Sequence, residues 1–124
     1  HIRVVSIVDR FLEHSRIFYF LNHGNDPKIY LGSADWMPRN FYTRVETVFP
    51  VLDPEIRSYI INEVISRYLM DNQDAMMLDD NGHYNAVICA ANQRPLCAQA
   101  AFIEEAESRR LITAFEREEK EETT

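Results

Sequence analysis

The sequence predicts an α/β fold, a mixed β-sheet covered by at least two helices. Three observations carry that expectation. Short runs rich in β-branched and aromatic residues recur through the first half, at 2–8, 16–21 and 28–33. After Asp53-Pro54, apolar residues recur at helical spacing instead. A second, longer helical stretch runs from Cys97 toward Lys120.

The elements follow in chain order. Residues 2–8 read as a buried strand, and 9–15 as a short connector. Two further strands, 16–21 and 28–33, flank Asn22-His23-Gly24-Asn25-Asp26-Pro27, a run of turn formers. Residues 34–43 are irregular, with a turn of helix after Pro38. Residues 44–52 alternate like a strand until Pro50 ends it. Asp53-Pro54-Glu55 starts a helix, with a capping carboxylate, proline at the first helical position and an acid in the first turn. That helix continues to Asn72, with the Tyr and Met side chains along 59–70 read as core. Residues 74–78 and 84–90 form a hairpin turning at Asn81-Gly82, with Asp79-Asp80 on its rim. The last helix ends in a Glu-rich, solvated tail.

Length and composition set limits. A chain of 124 residues, 46% hydrophobic, is expected to form one domain with a core of its own. The chain opens on a strand without a leading Met, as expected of a piece of a longer protein; His1 is a tag residue or native. No apolar run reaches the ~18 residues of a membrane span. Cys89 and Cys97 lack zinc-site spacing and are expected to be reduced thiols of a cytoplasmic protein. Net charge is −7, which argues against a polyanionic ligand until its distribution is considered. Residues 1–46 hold six basic and five acidic residues, and the remainder 7 basic and 15 acidic. The acidity belongs to the second half and does not exclude an anion site in the first.

The chemistry-bearing residues cluster at 14–16 and 32–35. A hairpin with Leu21 facing Lys28 puts Arg16 opposite Ser33 and His14 opposite Asp35. In that register His14, Arg16, Ser33 and Asp35 share one face at the hairpin's open end, with Phe18, Phe20, Ile29 and Leu31 filling the same face nearer the turn. Arginine offers a planar fork matched to phosphate oxygens. Histidine can donate to phosphate, transfer a proton or attack phosphorus. The four residues read either as a phosphate site or as an ordinary surface patch with a His–Asp pair. Arg39 is read as a further phosphate contact or as a structural ion pair to Asp35 or Glu46, and Trp36 as a packing anchor or a lid. His23 and Asp26 are read as solvated turn residues, because two ligands in a loop make a weak metal site.

A His-x-Lys strand followed by Gly-Ser-x-Asn is the half-site signature of the phospholipase D superfamily, and His14-Ser15-Arg16 with Gly32-Ser33-Ala34-Asp35 resembles it. There are three departures: Arg16 stands for Lys, Asp35 for Asn, and Leu21 where an Asp is expected. These weigh against a plain phospholipase or nuclease. The stretches IRVVSIVDRFLEHSRIFYF, KIYLGSADWMPRN and RVETVFPVLDPEIR resemble, in order, the second catalytic domain of the polyphosphate kinase family. The similarity runs from residue 2 to about residue 70, and RPLCAQAAF resembles the opening of that family's last helix.

The resemblance implies a phospholipase D-like half belonging to the C-terminal part of a longer enzyme. That enzyme reversibly moves the terminal phosphate of ATP onto polyphosphate, with Mg²⁺, through a phosphohistidine on a preceding domain. His14 is then the catalytic residue, binding the nucleotide's phosphates and able to protonate an oxygen. The resemblance also places Arg44, after the SADWMPRN segment, near the phosphates; with Arg16, Ser33 and Asp35 from the hairpin reading and Arg39, the ATP- and phosphate-binding set is His14, Arg16, Ser33, Asp35, Arg39 and Arg44, with no metal ligand in this chain. ATP and Mg²⁺ are cofactors of the full-length enzyme, and the isolated chain requires none. The implied partners are ATP or ADP, polyphosphate and the upstream domains, with a homo-oligomer at full length and no nucleic acid. The expected location is cytoplasmic, with membrane association as a variant. The alternatives are a half-site of a phospholipase D-type phosphodiesterase or nuclease, and a non-catalytic phosphate-binding domain.

Overall fold

The computed structural model describes residues 2–122, and side chains as far as residue 110. His1, Thr123, Thr124 and the side chains of the Glu-rich end lie outside the described residues, and the readings made of them stay there. The chain divides into two compact units, one of His1–Phe11 with Ile65–Thr124 and one of Leu12–Val64. The α/β class holds, and the strands fall into two three-stranded sheets whose pairings are all antiparallel.

In the Leu12–Val64 unit, β2 (Ile17–Phe20), β3 (Lys28–Gly32) and β4 (Val48–Pro50) form a sheet in that order. Its core is Ile29, only 1% exposed. Pro50 closes β4, an edge strand, where a missing N–H costs the ladder nothing. The short helix α1 (Pro38–Tyr42) lies between β3 and β4 in the chain. Helix α2 (Pro54–Tyr59) is capped as the sequence predicts: Asp53 Oδ1 accepts from the N–H groups of Glu55 (2.8 Å) and Ile56 (2.9 Å). Helical turns continue as a π segment over Ile60–Ile65.

The hairpin register differs by one residue from the expected one. Ile17 pairs with Leu31 and Phe20 with Lys28, so Leu21 is no longer in the strand. The carbonyl of Leu21 instead accepts from the N–H of Gly24 at 2.8 Å, drawing it into the turn. Asn22, His23 and Gly24 all take positive φ there, conformations that asparagine and glycine tolerate best. A one-residue slip exchanges faces. Phe18 and Phe20 therefore lie on the face of Tyr30, opposite Ile29 and Leu31, and the four do not form one apolar face.

In the other unit, β1 (Val5–Ile7), β5 (Ala75–Leu78) and β6 (Tyr84–Ala86) pair in the order β1-β5-β6. The β5–β6 hairpin turns on Asp79, whose carboxylate accepts from the N–H groups of Asn81 and His83 and from the amide of Asn85. Gly82 supplies the positive φ of 86°. Helix α3 (Ser66–Met70) meets α4 (Ala98–Glu122) through Tyr68 and Phe102, with ring centroids 5.3 Å apart, and through an Arg67–Glu105 ion pair. Buried Asp71 takes the N–H of Ala98 at 2.7 Å and starts α4. Gln99 pins the backbone of Phe11 with both ends of its amide. The 59–70 stretch is less buried than expected: Ile60 is core, but Tyr59 and Met70 are exposed. Among the described residues, no helix is long and apolar enough to cross a membrane.

Candidate phosphate-binding site

The expected site residues all lie in the Leu12–Val64 unit: His14, Arg16, Ser33 and Asp35 flank the open end of the β2–β3 hairpin, Arg39 lies in α1 and Arg44 follows it. Arg16 is the residue before β2 and faces Gly32, whose N–H donates to the Arg16 carbonyl at 3.1 Å. A Cβ on Gly32 would come within 3.2 Å of Phe18 and Val48 side-chain atoms, so glycine keeps β3 close to both neighbours.

Arg16 uses its fork inward. Nε and Nη2 reach the same oxygen of Asp35 at 2.8 and 2.7 Å, and Nη1 donates to the carbonyl of His14 at 2.9 Å. The two halves of the sequence signature are thus joined by one guanidinium. The His14–Asp35 pair of the expected register does not form. His14 is exposed, and no partner of its imidazole is found among the described residues.

Ser33 faces the other neighbour. Its N–H donates to the carbonyl of Thr47, and its oxygen accepts from the N–H of Thr47. Its hydroxyl donates to Glu46. The second oxygen of Glu46 accepts from the amide of Asn40 at 2.7 Å. Hydrogen bonds from Ser33, then Asn40, hold the Glu46 carboxyl below its ordinary range, and the charges of Arg44 and Arg16 add to this. Glu46 and Asn40 were not singled out from sequence as members of the site. The signals were Asn40's place directly after Arg39 and the reading of Glu46 as a candidate ion-pair partner of Arg39.

Asn40 is 4% exposed, and its Oδ1 has no hydrogen-bond partner. Reversing the amide would set two acceptors face to face at Glu46. An unpaired buried acceptor costs about 1–3 kcal/mol. The fold tolerates that cost where Asn40 also fixes Glu46.

Neither expected ion pair of Arg39 is made, since Arg16 holds Asp35 while Ser33 and Asn40 hold Glu46. Arg39 and Arg44 are exposed, and neither side chain has a hydrogen-bond or ion-pair partner among the described residues. Trp36 stacks on Phe18 with centroids 6.2 Å apart yet stays 79% exposed. In the hairpin turn, Asp26 is engaged by Lys28 and Arg57 and its carboxyl is pulled down chiefly by the Lys28 hydrogen bond. The site residues thus divide into a bonded set, Arg16, Asp35, Ser33, Glu46 and Asn40, and an exposed set, His14, Arg39 and Arg44.

Of the two carboxylates at the site, Glu46 has both oxygens on hydrogen-bond donors and Asp35 has one on Arg16. Among the described residues, the one group of three His, Cys, Asp or Glu ligand atoms within 4.8 Å is Asp9, Asp74 and Cys97, in the other unit.

The family model "Polyphosphate kinase C-terminal domain 2" matches residues 1–99. The chain is 44% identical over 104 residues to a polyphosphate kinase of Xylella fastidiosa, covering 84% of this chain and 15% of that protein. Identity to a polyphosphate kinase of Pseudomonas aeruginosa is 48% over 104 residues, with the same coverage. The solved polyphosphate kinase of Porphyromonas gingivalis superposes with a TM-score of 0.76 at 39% identity, covering 86% of this chain and 16% of that one. The chain thus spans only about one-sixth of the length of these relatives. That fold match bears out the phospholipase D-like class expected from the resemblance. On the family match and these identities, the chain belongs to the polyphosphate kinase C-terminal domain 2 family.

Proposed function

We propose that this chain supplies one side of the phosphoryl-transfer site of a polyphosphate kinase, which reversibly moves the terminal phosphate of ATP to polyphosphate. The observation that carries this reading is the Arg16 fork. It ties the His14 backbone to Asp35 and leaves the imidazole exposed. Phosphoryl transfer depends on positioning and on neutralising charge around the moving group. Arg39 and Arg44 serve the neutralising role, and Arg16 keeps N–H groups to spare after its internal bonds. Ser33 and Asp35 shape the rim. His14 contacts the nucleotide's phosphates and gives a proton to the leaving or entering oxygen. Mg²⁺, when bound with the nucleotide, supplies further charge neutralisation, and its protein ligands come from outside this chain. The partners are ATP or ADP, polyphosphate and upstream domains bearing a phosphohistidine, within a cytoplasmic homo-oligomer.

The test is transfer from radiolabelled ATP by the full-length polypeptide and by this chain alone. The chain alone should make no polyphosphate, because it holds half of the cradle. In the full-length polypeptide His14→Ala should cut turnover by about 100-fold or more, the scale of acid–base help. Arg44→Lys keeps charge but loses the fork and should also impair transfer. Near-normal turnover of the His14→Ala protein would overturn the reading.

A further inference from the structure

Glu46 sits against the candidate site, and the family reading gives it no role. Both of its oxygens are occupied, one by the Asn40 amide and one by the Ser33 hydroxyl. The Ser33 oxygen also accepts from the N–H of Thr47 at 3.1 Å. A serine hydroxyl has one hydrogen to give. While Glu46 takes it, Ser33 has none for a phosphate oxygen. The carboxylate stays charged, because the hydrogen bonds from Ser33 and Asn40 favour the ionised form. It also stands near enough to Arg44 and Arg16 to interact with both charges, so it subtracts from the field they present to an anion.

We propose that Glu46 is a positioning residue that holds the Ser33 hydroxyl away from the anion and keeps the phosphate affinity of this site low. The proposal rests on the phosphate-site reading above. It also makes sense for a reversible transfer site. Binding substrate and transition state equally well lowers KM without raising kcat, so tight ground-state grip on phosphate brings no rate. Buried Asn40 fixes the second oxygen of Glu46, so the carboxylate cannot swing out to release Ser33 without breaking that bond too.

The experiment titrates inorganic tripolyphosphate into this chain labelled with ¹⁵N and follows amide shifts. Wild-type protein should bind weakly, with shifts at His14 and Arg44. Glu46→Gln removes the charge, still accepts from Asn40 and donates to the Ser33 oxygen, which turns the hydroxyl hydrogen outward. Its affinity should rise about 3- to 10-fold, the scale of one partly screened charge. Ser33→Ala added to Glu46→Gln should remove part of the gain. A gain that survives loss of the Ser33 hydroxyl comes from the removed charge alone. The proposal is overturned if Glu46→Gln binds no tighter, or if the double variant keeps the whole gain. If Glu46→Gln loses its dispersed spectrum, Ser33→Ala decides: lost affinity shows that the hydroxyl already reaches the anion. Absence of wild-type shifts at His14 and Arg44 is a separate failure, that of the phosphate-site reading itself.

Discussion

Arg16 grips Asp35 across the open end of the β2–β3 hairpin, with Nε and Nη2 on one carboxylate oxygen at 2.8 and 2.7 Å. A third nitrogen holds the carbonyl of His14. The pair is partly exposed, so solvent screening keeps its worth to about 1 kcal/mol. Its importance is geometric, because a planar fork fixes two chain segments at once. A lysine ammonium cannot reproduce those three directions. Arg16→Lys should weaken tripolyphosphate binding by about threefold or more and cost on the order of 1 kcal/mol in urea unfolding. Unchanged binding and an unchanged midpoint would show that the fork is dispensable.

Asp71 joins two backbone segments of the other unit. It is 3% exposed and accepts from the N–H groups of Gln73 (3.1 Å), Asp74 (2.9 Å) and Ala98 (2.7 Å). Asp71→Ala leaves the buried N–H of Ala98 without a partner, at about 1–3 kcal/mol, and frees the part-buried N–H groups of Gln73 and Asp74 to turn to water. A loss of about 1–3 kcal/mol is expected from chemical denaturation, against less for Asp71→Asn, which keeps one acceptor oxygen.

Burial pushes the Cys97 thiol up to about 11, and its hydrogen bond to Asp9 at 3.2 Å supports the protonated form. At about pH 8 only around one molecule in a thousand carries the thiolate, the reactive species. Labelling with an aromatic disulfide should show one slow thiol, mapped to Cys97 by peptide mass, whose rate climbs about tenfold per pH unit. Equal rates for Cys89 and Cys97 in folded protein would contradict the burial argument.

Acid should weaken the fold through Glu46 and Asp79, whose carboxyls are held below their ordinary values of 4.5 and 3.8. The causes are led by the Ser33 hydrogen bond for Glu46 and by the backbone N–H of His83 for Asp79. A depressed folded-state pKa contributes stability that is complete above the unfolded value and is lost as pH falls through the folded one. The urea midpoint should hold steady from neutral pH down to 4.5 and decline beneath it. Glu46→Gln should decline less steeply over that range than the unchanged chain.

The sequence by itself determined the element types, the Asp53 cap, the hairpin turned at Gly82 and the family. Each depends on local chemistry: side-chain alternation, a carboxylate before a proline, a glycine where φ must be positive, or residue strings quoted in order. Tertiary structure alone decided the hairpin register, which hung on whether the Leu21 carbonyl joined the ladder or the turn. It also divided the strands into two sheets, because strand pairing is set by contacts distant in the chain. The partners inside the site were decided the same way. Arg16 and Asp35 are 19 residues apart, and Ser33 and Glu46 13, so no local periodicity could show that Asp35 belongs to Arg16 rather than to His14. Asn40 remained hidden for a related reason: a polar residue on a short helix looks exposed until the carboxylate it serves is folded against it.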